Sequence, residues 1–91
     1  MKPNEVVGDI IVASGKSERG ISKELNHDRT WARLVRYRKN APRIDTVADI
    51  AHVAGYRIDV VNDSTGEVLG TVEPPCIERL AGGEADGVEA G

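Results

Sequence analysis

The stretch from Ser14 to Gly55 constrains this chain more than any other. It reads as short apolar helices with a three-residue break at Asn26-His27-Asp28, and arginines gather on the segment after the break. Ser17 can cap a helix by accepting from the backbone N–H of Arg19 or Gly20. Ile21 and Leu25 lie four apart and face a core. Asp28 is a good cap for the next helix, which is expected to run to about Tyr37 with Ala32 and Val35 inward. Asn40-Ala41-Pro42 ends it, because the residue before a proline avoids the helical region. Two short helices joined by a tight turn, the second one basic, form a unit suited to the DNA major groove.

The flanking segments follow the same logic. A first helix is expected from about Asn4, as cap, to Ser14, with Val7, Ile10, Ile11 and Ser14 at helical spacing and Gly15 as its stop. Gly20 costs about 1 kcal/mol within a helix, so a close approach of the second helix to the third is expected there. A fourth helix carries the stripe Ile44, Val47, Ile50, Ala51 and Ala54 and stops at Gly55, entered through Asp45 as cap or directly through Arg43-Ile44. The period then changes to two. Tyr56, Ile58 and Val60 alternate with Arg57, Asp59 and Val61. Asn62 to Gly66 is turn chemistry, and Glu67 to Val72 is a second strand candidate, so residues 56–75 read as a β-hairpin. Two strands alone are marginal in water. Ile77 to Ala81 has room for one helical turn, and Gly82 to Gly91 is Gly- and acid-rich with little to bury. Residues 76–91 are therefore expected to be an acidic, disordered and dispensable tail.

Composition matters where charge is concerned. The net charge of −3 hides a segregation. Lys16, Arg19, Lys23, Arg29, Arg33, Arg36, Arg38, Lys39 and Arg43 face only Glu18, Glu24 and Asp28, a local net of +6. From Ile44 onward, two arginines meet ten acids, a net of −8. An acidic protein with one basic face can bind nucleic acid; equally, such residues can simply solvate amphipathic helices. The chain has no Phe, one Trp and two Tyr, so its core must be aliphatic. Cys76 is the single cysteine, which rules out an internal disulfide. No apolar run approaches a membrane span and no signal-peptide core is present, so a soluble cytoplasmic protein is expected.

Catalytic signals are absent. Gly15-Lys16-Ser17 resembles the end of a phosphate-binding loop, but the required first glycine falls on Ile10. His27, His52 and Cys76 lack metal-ligand spacing. No nucleophile–base pair can be argued. We expect no enzyme, no cofactor and no metal. Arg29, Thr30 and Arg33 are the candidates to touch base edges. Arg can bridge guanine O6 and N7, and the Thr methyl can meet a thymine methyl. Arg29, Arg33 and Arg36 are spaced to share one helical face. Lys16, Ser17, Arg36, Arg38 and Lys39 are the candidates to hold phosphates, which sets register rather than sequence. Trp31 suits either a core edge against the fourth helix or a surface contact. His27 suits a solvated turn or a phosphate contact.

These residues resemble the phage-repressor or Cro-like helix-turn-helix proteins, the XRE family. The family's opening Gly-x-Ser-x-x-x-Leu-Ala-x-x-Leu-Gly pattern is met by Gly15, Ser17, Ile21, Ser22, Leu25 and Asn26. Asp28, Ala32 and Val35 occupy the places of the recognition helix. Its closing pattern is met by Pro42, Ile44, Thr46, Val47, Ile50, Ala51, Ala54 and Gly55. The match covers just under half the chain. Glu18 stands where the family usually has Gln; a carboxylate repels phosphate, so it could instead accept from cytosine N4 or orient an arginine. Asn26 replaces the turn glycine, as a residue that tolerates a left-handed backbone. Trp31 is bulky where the family is often small. The hairpin replaces the last helix of compact repressors and looks more like antitoxin-type members, in which a strand pairs across the dimer.

The resemblance implies a mainly α fold: a four-helix DNA-binding domain over residues 1–55, a dimerising hairpin over 56–75 and the tail over 76–91. It implies a transcriptional repressor that binds double-stranded DNA as a homodimer, with Tyr56, Ile58, Val60, Val68 and Leu69 as the dimerising residues. The alternatives are an antitoxin or regulatory partner that neutralises another protein, such as a toxin, and an adaptor that has lost DNA binding.

Overall fold

The computed structural model describes residues 1–80, which form five helices and one two-stranded antiparallel sheet. The helices are α1 (Val6–Ser14), α2 (Glu18–Glu24), α3 (Trp31–Arg36), α4 (Ile44–Ala54) and α5 (residues 75–80), and the hairpin strands are β1 (Asp59–Val61) and β2 (Val68–Thr71). The mainly α expectation holds at this level. None of these helices is long and apolar enough to cross a membrane.

The core is aliphatic, as a chain without Phe requires. Val7 and Ile11 from α1, Ile21 and Leu25 from the α2 segment, Ala32 and Val35 from α3, and Val47 and Ile50 from α4 are all buried. α1 packs on α4 and α2 on α3. Ile44 departs from the expected stripe: at 62 % exposure it faces solvent, while Ala48 and Asp49 turn inward.

Local chemistry explains most helix ends. Gly15 and Gly55 adopt left-handed φ values of 73° and 88° and stop α1 and α4. Asn26 does the same for α2 at φ 60°. After it, the His27 N–H reaches the Ser22 carbonyl at 2.9 Å and the Asn26 N–H reaches the Lys23 carbonyl at 3.0 Å, so the otherwise orphaned carbonyls of α2 are satisfied. α4 closes in the same way. Its Tyr56 N–H reaches the Ala51 carbonyl at 2.8 Å, which makes Tyr56 part of the helix end and not of a strand.

Two helix-start expectations change, and the choice left open at the start of α4 is decided. α1 begins at Val6 after a turn, with Glu5 rather than Asn4 at its cap position. Arg43 leads directly into α4, while Asp45 accepts from the Thr46 N–H and pairs with Arg43 at 3.2 Å. α3 starts at Trp31, later than Asp28 suggested. The Asp28 carboxylate instead accepts from the backbone N–H and hydroxyl of Thr30, a local turn that delays the helix. Ser17 caps α2 as expected, accepting from the Gly20 N–H at 2.9 Å. The close approach expected at Gly20 is absent: a Cβ there would meet only the Ser17 oxygen, at 3.1 Å. Gly8 is the glycine that matters for packing, because its Cβ position lies 3.1 Å from Arg36 Nε.

The tail expectation fails for its first residues. Cys76 is fully buried in the helical core, and Leu80 packs beside it. Asp49 explains the docking. Its buried carboxylate, on α4, accepts from the Cys76 N–H at 2.8 Å and so caps α5 from another helix. Arg79 lies 3.7 Å from the same carboxylate. Burial, together with the neighbouring Asp49, pushes the Cys76 thiol up to about 11. A polar residue inside the α4 stripe and a proline-led α5 carried this message, but both were masked by the acidic composition that follows. The disorder expected for Gly82 to Gly91 lies outside the described residues.

The hairpin is shorter than its sequence pattern. Asp59 pairs with Thr71 and Val60 with Gly70, but Val61 pairs with Val68, which leaves Leu69 as an extra residue in β2. The loop is held by the Asn62 side chain, which accepts from the N–H groups of Ser64 and Thr65, and by a left-handed Gly66.

Candidate nucleic-acid interface

A buried hydroxyl sets the relation of α2 to α3. Ser22 Oγ donates to the Glu18 carbonyl at 2.9 Å and accepts from the Ala32 N–H at 2.8 Å. Ser22 is fully buried. The contact satisfies an N–H of the first turn of α3, which has no partner in its own helix. Its signal in the sequence was a serine within an apolar phase.

At this junction the chain opens a cleft of about 220 Å³ lined by Glu18, Arg19, Arg29, Thr30 and Arg33. The three expected base-reading residues are thus brought together, and all three are exposed. They do not share a helical face, since Arg29 and Thr30 precede α3. The turn made by Asp28 carries them to the same cleft as Arg33. Arg19, at the start of α2, is the residue the sequence reading missed. Its only signal was its place in the first turn of the helix that Ser17 caps.

The expected phosphate-binding set divides. Arg38 and Lys39 are exposed and make no ion pair among the described residues. Arg36 is not free. Its Nη1 pairs with Glu18 Oε2 at 3.0 Å, and its guanidinium lies 5.1 Å from the Tyr37 ring centroid. Lys16 is also engaged: its ammonium donates to Glu24 at 3.0 Å and to the Val53 carbonyl at 2.7 Å, tying the α1–α2 loop to the end of α4. The Ser17 oxygen is occupied by its cap. Helix geometry draws Arg36 and Lys16 into holding the domain together, which a count of charges cannot reveal.

Trp31 is half-buried against the core, with the His27 ring stacked on it at 4.0 Å. Burial and then the nearby Arg79 hold the His27 pKa below its ordinary value, with Asp49 opposing. A ring stacked on an indole is a packing element, and the solvated-turn expectation for His27 gives way to it. His52 is exposed, as expected. No cluster of metal-ligating side chains occurs among the described residues.

The hairpin residues also divide. Ile58 packs against the helical core of its own chain. Val60, Val61 and Val68 are about half exposed and Leu69 is 85 % exposed. With Asn62 and Glu67 they line an open hollow of about 400 Å³. Tyr56 is half exposed at the end of α4.

No protein-family model, curated protein or solved structure matches the chain.

Proposed function

We propose that this chain is a sequence-specific double-stranded DNA-binding regulator of the Cro/repressor-like helix-turn-helix kind, acting as a homodimeric repressor. One observation carries the reading. Arg19, Arg29, Thr30 and Arg33 converge on one exposed cleft where α2 meets α3. Guanidinium groups in such a place suit guanine O6 and N7, and Arg38 and Lys39 beyond the end of α3 suit phosphates. The mechanism requires no bond chemistry. Bound protein occludes the DNA from polymerase or from another regulator.

The test is selection from a random duplex pool, followed by titration at several salt concentrations. An enriched inverted repeat is expected, with log affinity falling by about 0.9 per neutralised phosphate for each unit of log salt. No enrichment, or a flat response across a fourfold salt range, overturns the proposal.

Dimerisation is assigned to the hairpin, because Val60, Val61, Val68 and Leu69 present apolar area that the helices leave uncovered. Pairing with a second hairpin would cover strand edges and set two recognition helices about 34 Å apart. The double substitution Val68→Glu with Leu69→Glu is expected to give a folded monomer in sedimentation, with operator affinity much reduced. An intact dimer would place the interface elsewhere. The same apolar surface is the observation that favours the second reading, an antitoxin-like partner protein. That reading predicts a 1:1 complex with a different protein through the hairpin and loss of the complex in the same variant.

A further inference from the structure

Glu18 is the anomaly of the cleft. It is the only acid among the lining residues, beside three arginines. If the cleft served phosphates alone, a carboxylate there would weaken it. The side chain is nevertheless held firmly. Oε2 accepts from Arg36 at 3.0 Å, and Arg36 is itself fixed against the Tyr37 ring and against α1 at Gly8. Oε1 accepts no hydrogen bond from the described residues. One oxygen is thus anchored and the other left over, on a side chain 25 % exposed at the cleft wall. Thr30 adds no competing donor, because its hydroxyl proton is given to Asp28.

Resting on the DNA-binding reading above, we propose that Glu18 is a specificity-determining residue that accepts from the N4 amino group of a cytosine, so that the cleft selects a G·C pair at that position. The argument is one of complementary edges. In the major groove a G·C pair presents two acceptors, guanine N7 and O6, next to one donor, cytosine N4. Arginines beside a carboxylate present donors next to an acceptor. Adenine fits less well. Its N6 donor lies beside the N7 acceptor on the same base, and a carboxylate has no hydrogen to offer N7. Glutamine has one, and pairs with adenine through both atoms. The Arg36 pair keeps the carboxylate in one rotamer and offsets its charge. Arg36 is thus a positioning residue for Glu18.

Two measurements with the full chain test this. The first needs no variant: the wild-type protein is titrated against duplexes carrying each of the four pairs at every position of the selected site. At one position per half-site, cytosine is expected to exceed adenine and thymine on the order of ten- to a hundredfold. The second repeats the selection with Glu18→Gln, which keeps the shape and can still accept from Arg36. With its oxygen kept on Arg36, the amide turns its NH2 to the cleft where Glu18 Oε1 stood, so the preference for cytosine at that one position is expected to be lost, with the others unchanged. A selected site without a discriminating cytosine, or a Glu18→Gln motif identical to the wild type, overturns the assignment and leaves DNA binding standing. Failure of the wild-type protein to select any sequence overturns the DNA-binding reading and this inference with it.

Discussion

Ending the chain at Pro75 is expected to destabilise the domain by about 2–5 kcal/mol, read as a lower urea midpoint. The sequence pattern alone suggests that everything after Pro75 can be lost without effect. The structure reverses this, because Cys76 is fully buried and Leu80 packs on the same core. Removing them takes two apolar side chains out of the core and leaves Asp49 without the N–H it caps. Against the total of roughly 5–15 kcal/mol typical of native proteins, such a loss is large. An unchanged midpoint would mean that α5 does not contribute to the core. The result also governs experiments on the hairpin. A truncation after Gly55 removes α5 together with the strands, so any loss of dimer would be confounded with partial unfolding. Point substitutions at exposed Val68 and Leu69 avoid this.

Replacing Arg29 or Arg33 with alanine is expected to cost about 1–3 kcal/mol on the selected operator and to relax preference at one position. Both side chains are exposed and line the cleft, so fold stability should change little. Lys39→Ala is the control. It is expected to weaken binding to all sequences alike and to flatten the salt slope by about one phosphate. Competition titrations of specific against random duplex distinguish the two behaviours. Equal losses on both DNAs for all three variants would remove the base-reading roles.

The sequence and the structure agree where a local rule acts alone. Gly15, Asn26 and Gly55 end helices because the left-handed backbone tolerates few residues, and Ser17 caps α2 because its oxygen needs only its own neighbours. Disagreement begins where a partner comes from far along the chain. Asp49 looked like a polar residue on a helix, but its partner is 27 residues away. Arg36 counted as one of a basic stripe until Glu18, 18 residues earlier, claimed it. Lys16 was taken by the Val53 carbonyl, 37 residues on. The members of the cleft were legible in Arg29, Thr30 and Arg33. Arg19 was not, because its place depends on how α2 meets α3, and that is settled by the buried Ser22 hydroxyl.

The Ser22 bridge also separates two kinds of change open to this chain over generations. It fixes the seat of α3 from inside, through a backbone N–H that any residue at position 32 retains, proline excepted. The exposed residues that line the cleft then have no share in holding it open. Substitutions at Arg19, Arg29, Thr30 or Arg33 can therefore accumulate as the preferred ligand drifts, with little debt to folding. Copies of the gene could part company in what they recognise while their frameworks stay interchangeable. Ser22 itself has no such freedom, since its loss strands a buried donor at a cost of about 1–3 kcal/mol.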